Sequence, residues 1–195
     1  MKKTGMIIAS VCLMLGISMS VPASETTDYK DVGISIPKTQ ELNETTGLLF
    51  PYTFGALDDG HHVYGLAFLY EAMPLEDATN ILYGDSASEE EMDAFYEAQS
   101  TLRILLAADV DFDTVRETYD ETLGGMIPAD FDGCQEIGSA DGFTFYSVPA
   151  VTEEAYFSGI GEEYAEEFRK LDSVLAKALE NGEYYEPVED RKSVV

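Results

Sequence analysis

Apolar and polar positions along this chain change period several times, and each change marks an element. Val32-Gly33-Ile34-Ser35-Ile36 alternates and stops at Pro37, which predicts a short strand. Gly47–Leu57 and His62–Tyr70 are longer β runs separated by Asp58-Asp59-Gly60-His61. Asp-Gly at the centre suits a two-residue type I′ turn, because both central residues need positive φ. With Asp59-Gly60 as that turn, Ala56 faces Val63, Phe54 faces Gly65, Tyr52 faces Ala67 and Phe50 faces Leu69. Large then opposes small at several pairs, which favours this register over a one-residue slip. Pro51 lacks the N–H of an interior ladder and places its strand at an edge or a bulge.

The middle of the chain reads as helical. Pro74 opens a helix that reaches Tyr83 and ends at Gly84. Ser88 and Glu91 have the spacing of a capping box, and Met92, Phe95, Tyr96, Leu102, Leu105 and Leu106 keep a helical period after it. A third helix is expected over Asp113–Leu123, stopped by Gly124-Gly125. Cys134–Ser139 and Phe143–Val148 flank Asp141-Gly142 as a second hairpin. The last helix spans Glu162–Glu180, with Tyr164, Phe168, Leu171, Val174, Leu175, Ala178 and Leu179 as its apolar stripe. Strands joined by tight turns pair antiparallel, and grouped helices cover a face. The expected fold is therefore α+β: an antiparallel sheet of about five strands with helices packed mainly on one face.

Both faces of 63–70 are apolar, with Val63, Gly65, Ala67 and Leu69 on one and Tyr64, Leu66, Phe68 and Tyr70 on the other. A strand covered on both sides reads this way. A binding surface on one face, for a partner or an aromatic-stacking ligand, is the competing reading.

The first 23 residues change the picture of what remains. Lys2 and Lys3 precede an apolar run from Met6 to Val21, and Val21-Pro22-Ala23 sets small residues at the positions a signal peptidase reads before Ser24. The run is short for a membrane span, which takes about 20 residues. The expectation is a signal peptide over 1–23, a single domain over 24–186, a flexible tail over 187–195, and a secreted chain with no membrane anchor after processing. Residues 24–30 read as a loose leader. Processing removes Cys12 and two of the 11 basic residues. The mature chain then has nine basic against 38 acidic residues, a net of −29 over 172 positions. That field repels phosphate backbones and anionic lipid, so nucleic acid is excluded as a partner. The 10 Phe and 12 Tyr supply an ordinary core and exclude a disordered acidic chain.

No catalytic, cofactor-binding or metal-binding residue is assigned from sequence. Cys134 is left without an internal disulfide partner, and no CxxC occurs. A buried small hydrophobe is the plain reading of Cys134, and a nucleophile paired with His61 or His62 the sharper one. His61 and His62 are the only histidines, and strand neighbours point to opposite faces, so they are not expected to share one ion. Asp109-Val110-Asp111-Phe112-Asp113, with Glu117 and Asp120, spaces oxygens as a calcium loop begins, but Thr114 and Arg116 depart from that pattern. The same stretch reads as a helix start capped by Asp111 or Asp113, with Phe112, Val115, Tyr119 and Leu123 on one face. Gly138-Ser139-Ala140-Asp141-Gly142 is not a GxSxG nucleophile elbow.

DVGISIP near the start, CQEIGSADGFTFYSVPAV, and EEYAEEFRKLDSVLAKALENGEYYEPVED resemble the non-catalytic N-terminal domain found ahead of a thioredoxin-like module in some secreted disulfide reductases of Gram-positive bacteria. The resemblance covers most of residues 29–189. In that family a redox domain follows, whereas no CxxC is present here, so no family catalytic residue carries over. It implies a companion domain that docks a separate redox partner. The expectation is a secreted, non-enzymatic accessory or interaction domain with a protein partner and no cofactor. The alternatives are a secreted hydrolase using carboxylates or Cys134, and a calcium-binding module.

Overall fold

The computed structural model describes residues 25–44, 48–58, 61–83, 87–122, 129–150, 157 and 160–188, with backbone alone over 48–58. The chain is α+β, and its strand pairs are antiparallel. In chain order, β1 is Thr26–Tyr29, β2 Ile34–Pro37, α1 Gln40–Asn43, β3 Leu48–Asp58 and β4 His61–Glu71. Then come α2 Leu75–Tyr83, α3 Glu89–Ala98, β5 Gln99–Ala108 and α4 Phe112–Thr122. The last elements are β6 Gln135–Ala140, β7 Phe143–Pro149, α5 Glu162–Glu180 and β8 Glu183–Tyr184.

These strands form two sheets, one of five in the order β3-β4-β5-β7-β6 and one of three in the order β1-β2-β8. The expected single sheet of about five strands thus accounts for only one of the two. The expected loose leader is also replaced, because β1 pairs with β2 from Thr26↔Pro37 to Tyr29↔Ile34.

Turn chemistry sets both hairpins. The β3–β4 register matches the expected one, from Phe50↔Leu69 through Phe54↔Gly65 to Ala56↔Val63. Asp58 lies opposite His61, as a two-residue loop requires, while Asp59 and Gly60 lie outside the described residues. Pro51 falls on β3, an edge strand of the large sheet. In the second hairpin Ala140 pairs with Phe143 across Asp141 (φ 50°) and Gly142 (φ 91°), the two positive φ values of a type I′ turn.

The largest departure from expectation is β5. Helical spacing predicted one helix running from Ser88 through Leu106, but α3 stops at Ala98 and Gln99 begins a strand. The capping box at Ser88 and Glu91 is present, so the helix starts where expected and ends early. Leu102–Ala108 is buried throughout and lies between β4 and β7 at the centre of the sheet. A short run apolar on both sides carries no period to separate strand from helix, and pairing on both edges decides the matter. A bulge where Phe68 faces Arg103 and Leu69 faces Thr101 leaves Leu102 unpaired.

Because the central strands are apolar on both faces, both faces are covered, not mainly one. On one, Leu66, Phe68, Tyr70, Leu105 and Phe145 pack against Phe168, Leu171, Leu175 and Leu179 of α5 and against Ile34 and Ile36 of β2. On the other, Val63, Ala67, Ile104, Leu106 and Val148 meet Val115 and Tyr119 of α4 and Phe131 of a short 3-10 turn. Arg103, only 9 % exposed, ties the first layer together: its Nε and Nη2 donate to Asp172 on α5 at 2.8 and 3.0 Å, and its Nη1 donates to Ser147 on β7 at 3.0 Å. Among the described residues no helix is long and apolar enough to cross a membrane.

Candidate functional site

The end of β5 meets the start of β4, since Ala108 pairs with Val63. Asp109 therefore follows directly opposite His62. Its carboxylate closes that corner: the His62 amide donates to Oδ1 at 2.7 Å, and His62 Nδ1 lies 3.2 Å from Oδ2. In the reverse direction the Asp109 amide donates to the His62 carbonyl at 3.3 Å. His61 Nδ1 lies 3.5 Å from the same Oδ1. Burial alone would push the Asp109 carboxyl up, but the His62 amide and ring, with the charge of both histidines, hold it below the usual carboxylate range.

The expectation concerned a shared ion; what His61 and His62 do share is the Asp109 carboxylate. Their side chains leave opposite faces, yet His61 is the first residue of β4, where its ring can swing round the strand end to Asp109. Among the described residues no group of three or more potential ligands is assembled for a metal ion.

His62 also opens a groove. Its ring stacks on Tyr64 at 5.6 Å between centroids and 11° between planes, and Tyr64 stands 6.0 Å from Phe143 at a tilt of 39°. Glu186, Pro187 and Val188 line the facing side, and with Asp109 these residues bound an open groove of about 580 Å³. The wall they form is a strap running back beside residues 30–33, the turn that precedes β2. Tyr185 N–H donates to the Gly33 carbonyl and Val188 N–H to the Lys30 carbonyl, both at 2.9 Å. Gly33 makes this approach possible: its φ is +72°, and a Cβ there would lie 2.1 Å from the Tyr185 oxygen.

Of the aromatic stripe Tyr64, Leu66, Phe68 and Tyr70, the last three are core, covered by α5 and β2. Only Tyr64, half-buried, reaches the groove. Tyr70 is further fixed by its hydroxyl, which donates to Glu167 at 2.5 Å.

The other candidates are dispersed. Cys134 packs beside the cluster under α4, and burial pushes its thiol up to about 11. Among the described residues no hydrogen bond joins it to His61 or His62. Asp111 caps α4, accepting from Thr114 N–H and Thr114 Oγ1–H at 3.1 Å each. Asp109 and Asp111 of the calcium-like spacing therefore serve different partners. Phe112, Val115 and Tyr119 face the core as expected, and Leu123 lies outside the described residues.

Sequence reasoning missed both the Asp109–His62 clamp and a buried acid, Glu71. The latter closes β4 opposite Gln99, is fully buried, and neither carboxyl oxygen reaches a hydrogen-bond partner among the described residues. Burial pushes it up to about 8, and Gln99, although outside bonding geometry, draws it partly back. Compared with protein-family models, with curated proteins and with solved structures, the chain matches none.

Proposed function

We propose that this chain is an extracytoplasmic, non-enzymatic accessory domain that works by docking a protein partner, the role implied by its resemblance to the companion domains of thioredoxin-like reductases. The observation that supports docking is the make-up of the groove. It is broad and open, walled by rings and a backbone strap, and Asp109 and His62, which line it, already bond each other to hold a strand end. A hydrolase working through Cys134 needs that thiol beside a base. Here the thiol is held protonated in the apolar layer under α4, away from both histidines.

The test uses the chain as it is secreted. N-terminal sequencing of the protein from culture fluid is expected to begin at Ser24, and native size fractionation is expected to show it co-migrating with a CxxC-bearing protein in a fixed ratio. A chain that runs as a monomer at high concentration, with or without such a protein added, would count decisively against the reading.

A further inference from the structure

We propose that the groove between Tyr64 and Glu186 receives a cationic side chain, an arginine or lysine carried on an exposed segment of the partner. This rests on the docking reading and names the chemistry of what docks. The first support is the ring arrangement. Tyr64, half-buried on the groove wall between His62 and Phe143, is the ring within reach, and a tyrosine ring attracts a cation placed over it within about 6 Å. The second is charge. Glu186 lines the groove, and no Lys or Arg is among its described lining residues. Asp109 is already engaged by the His62 amide and both imidazoles, so Glu186 supplies the open negative charge.

The third support is shape. The groove runs open to solvent at about 580 Å³, room for a long side chain together with the backbone that carries it. An anionic ligand would meet Glu186, and a purely apolar one would strip water from that carboxylate without supplying a counter-charge. The whole-chain charge of −27 would speed the approach of a basic segment, but it draws cations to every face alike. The ring beside Glu186 is what sets this groove apart from charge alone.

That distinction sets the experiment. The probe is an acetylated and amidated nine-residue peptide carrying two arginines among glycines and serines, with a second peptide in which glutamine replaces both. Binding to the full secreted chain is followed by backbone NMR shifts at 0.15 M salt. Glu186→Gln and Tyr64→Leu are each expected to weaken the arginine peptide about tenfold, the scale of one lost cation–aromatic or charge contact. The comparison variant carries Glu89→Gln with Glu90→Gln, two exposed acids at the start of α3. They precede Asp109 by 20 and 19 residues, on the helix that leads into the opposite end of β5, and this double change is expected to alter affinity less than twofold. Shifts should concentrate at 62–64, 143 and 186–188.

Equal weakening by both sets of variants would overturn the proposal, since it would mean diffuse attraction. So would equal binding of the glutamine peptide. Glu186 is exposed, so Glu186→Gln carries the test even if Tyr64→Leu fails to fold. Selective arginine binding in a chain that never co-migrates with a partner would defeat the docking reading alone.

Discussion

Replacing Glu71 by Gln should make the protein more resistant to alkaline pH, by an amount that follows from where the carboxyl sits. In the folded chain burial holds it protonated up to about 8, whereas its ordinary value is 4.5. Below 4.5 the group is neutral in both states and contributes no pH dependence. Between 4.5 and about 8 the unfolded chain releases the proton and the folded chain keeps it, so stability falls as pH rises. The slope is about 1.4 kcal/mol per pH unit, and it vanishes above the folded value. From pH 5 to pH 8 this one residue should remove about 4 kcal/mol, a large share of the ~5–15 kcal/mol that holds a domain folded. Glutamine keeps the shape and cannot ionise. Urea unfolding of both proteins at pH 5 and pH 8 isolates the effect as a difference of differences, in which the other acids cancel. With a urea dependence of about 2 kcal/mol/M, the wild-type midpoint should fall about 2 M further than that of Glu71→Gln. Glu71→Leu should behave like the glutamine variant in slope, because it too removes the titration. Parallel losses in all three proteins would refute the reasoning, since they would mean that Glu71 is solvated and charged in the native state.

Four further outcomes are expected. Asp172→Ala should cost about 3 kcal/mol in chemical denaturation by stranding the buried Arg103 guanidinium, and Arg103→Met combined with Asp172→Leu should recover most of it. Gly33→Ala should cost at least ~2 kcal/mol in denaturation and speed amide exchange at Tyr185 and Val188, because a Cβ would collide with the strap; Gly142→Ala, at φ +91° with open space around it, should cost only about 1 kcal/mol. Cys134 should react with iodoacetamide at pH 8 about a hundredfold more slowly than a free thiol, and faster as pH rises toward 10, because a thiol near 11 is almost wholly protonated at pH 8. Asp111→Ala should lower stability by about 1 kcal/mol through loss of the α4 cap, and the melting temperature should be the same in millimolar calcium as in chelator.

What could be read in advance was what is local. Asp141-Gly142 imposes its turn through two backbone angles, and the Ser88–Glu91 box closes within one helical turn. The α5 stripe needs only its own period, and its observed ends, Glu162 and Glu180, coincide with those expected. β1 and β8 have no such signal: Thr26-Thr27-Asp28-Tyr29 is mostly polar, and Glu183-Tyr184 is two residues long. Both become strands by pairing with β2. β5 fails for the opposite reason, too much apolar character rather than too little. Leu102, Leu105 and Leu106 satisfy a helical period by accident, because every position from 102 to 108 is buried whatever its spacing. That one misreading also hid the site. With the run taken as helix, Asp109 belongs to a loop with no neighbours, and its spacing to Asp111 and Asp113 looks like cation chemistry. Pair Ile104 with Ala67 and Leu106 with Gly65, as the ladder does, and the antiparallel register carries Asp109 to the level of His62 with no further choice to make. The clamp therefore follows from a single long-range pairing, and the groove beside it needs a second, the strap's bonds to Gly33 and Lys30.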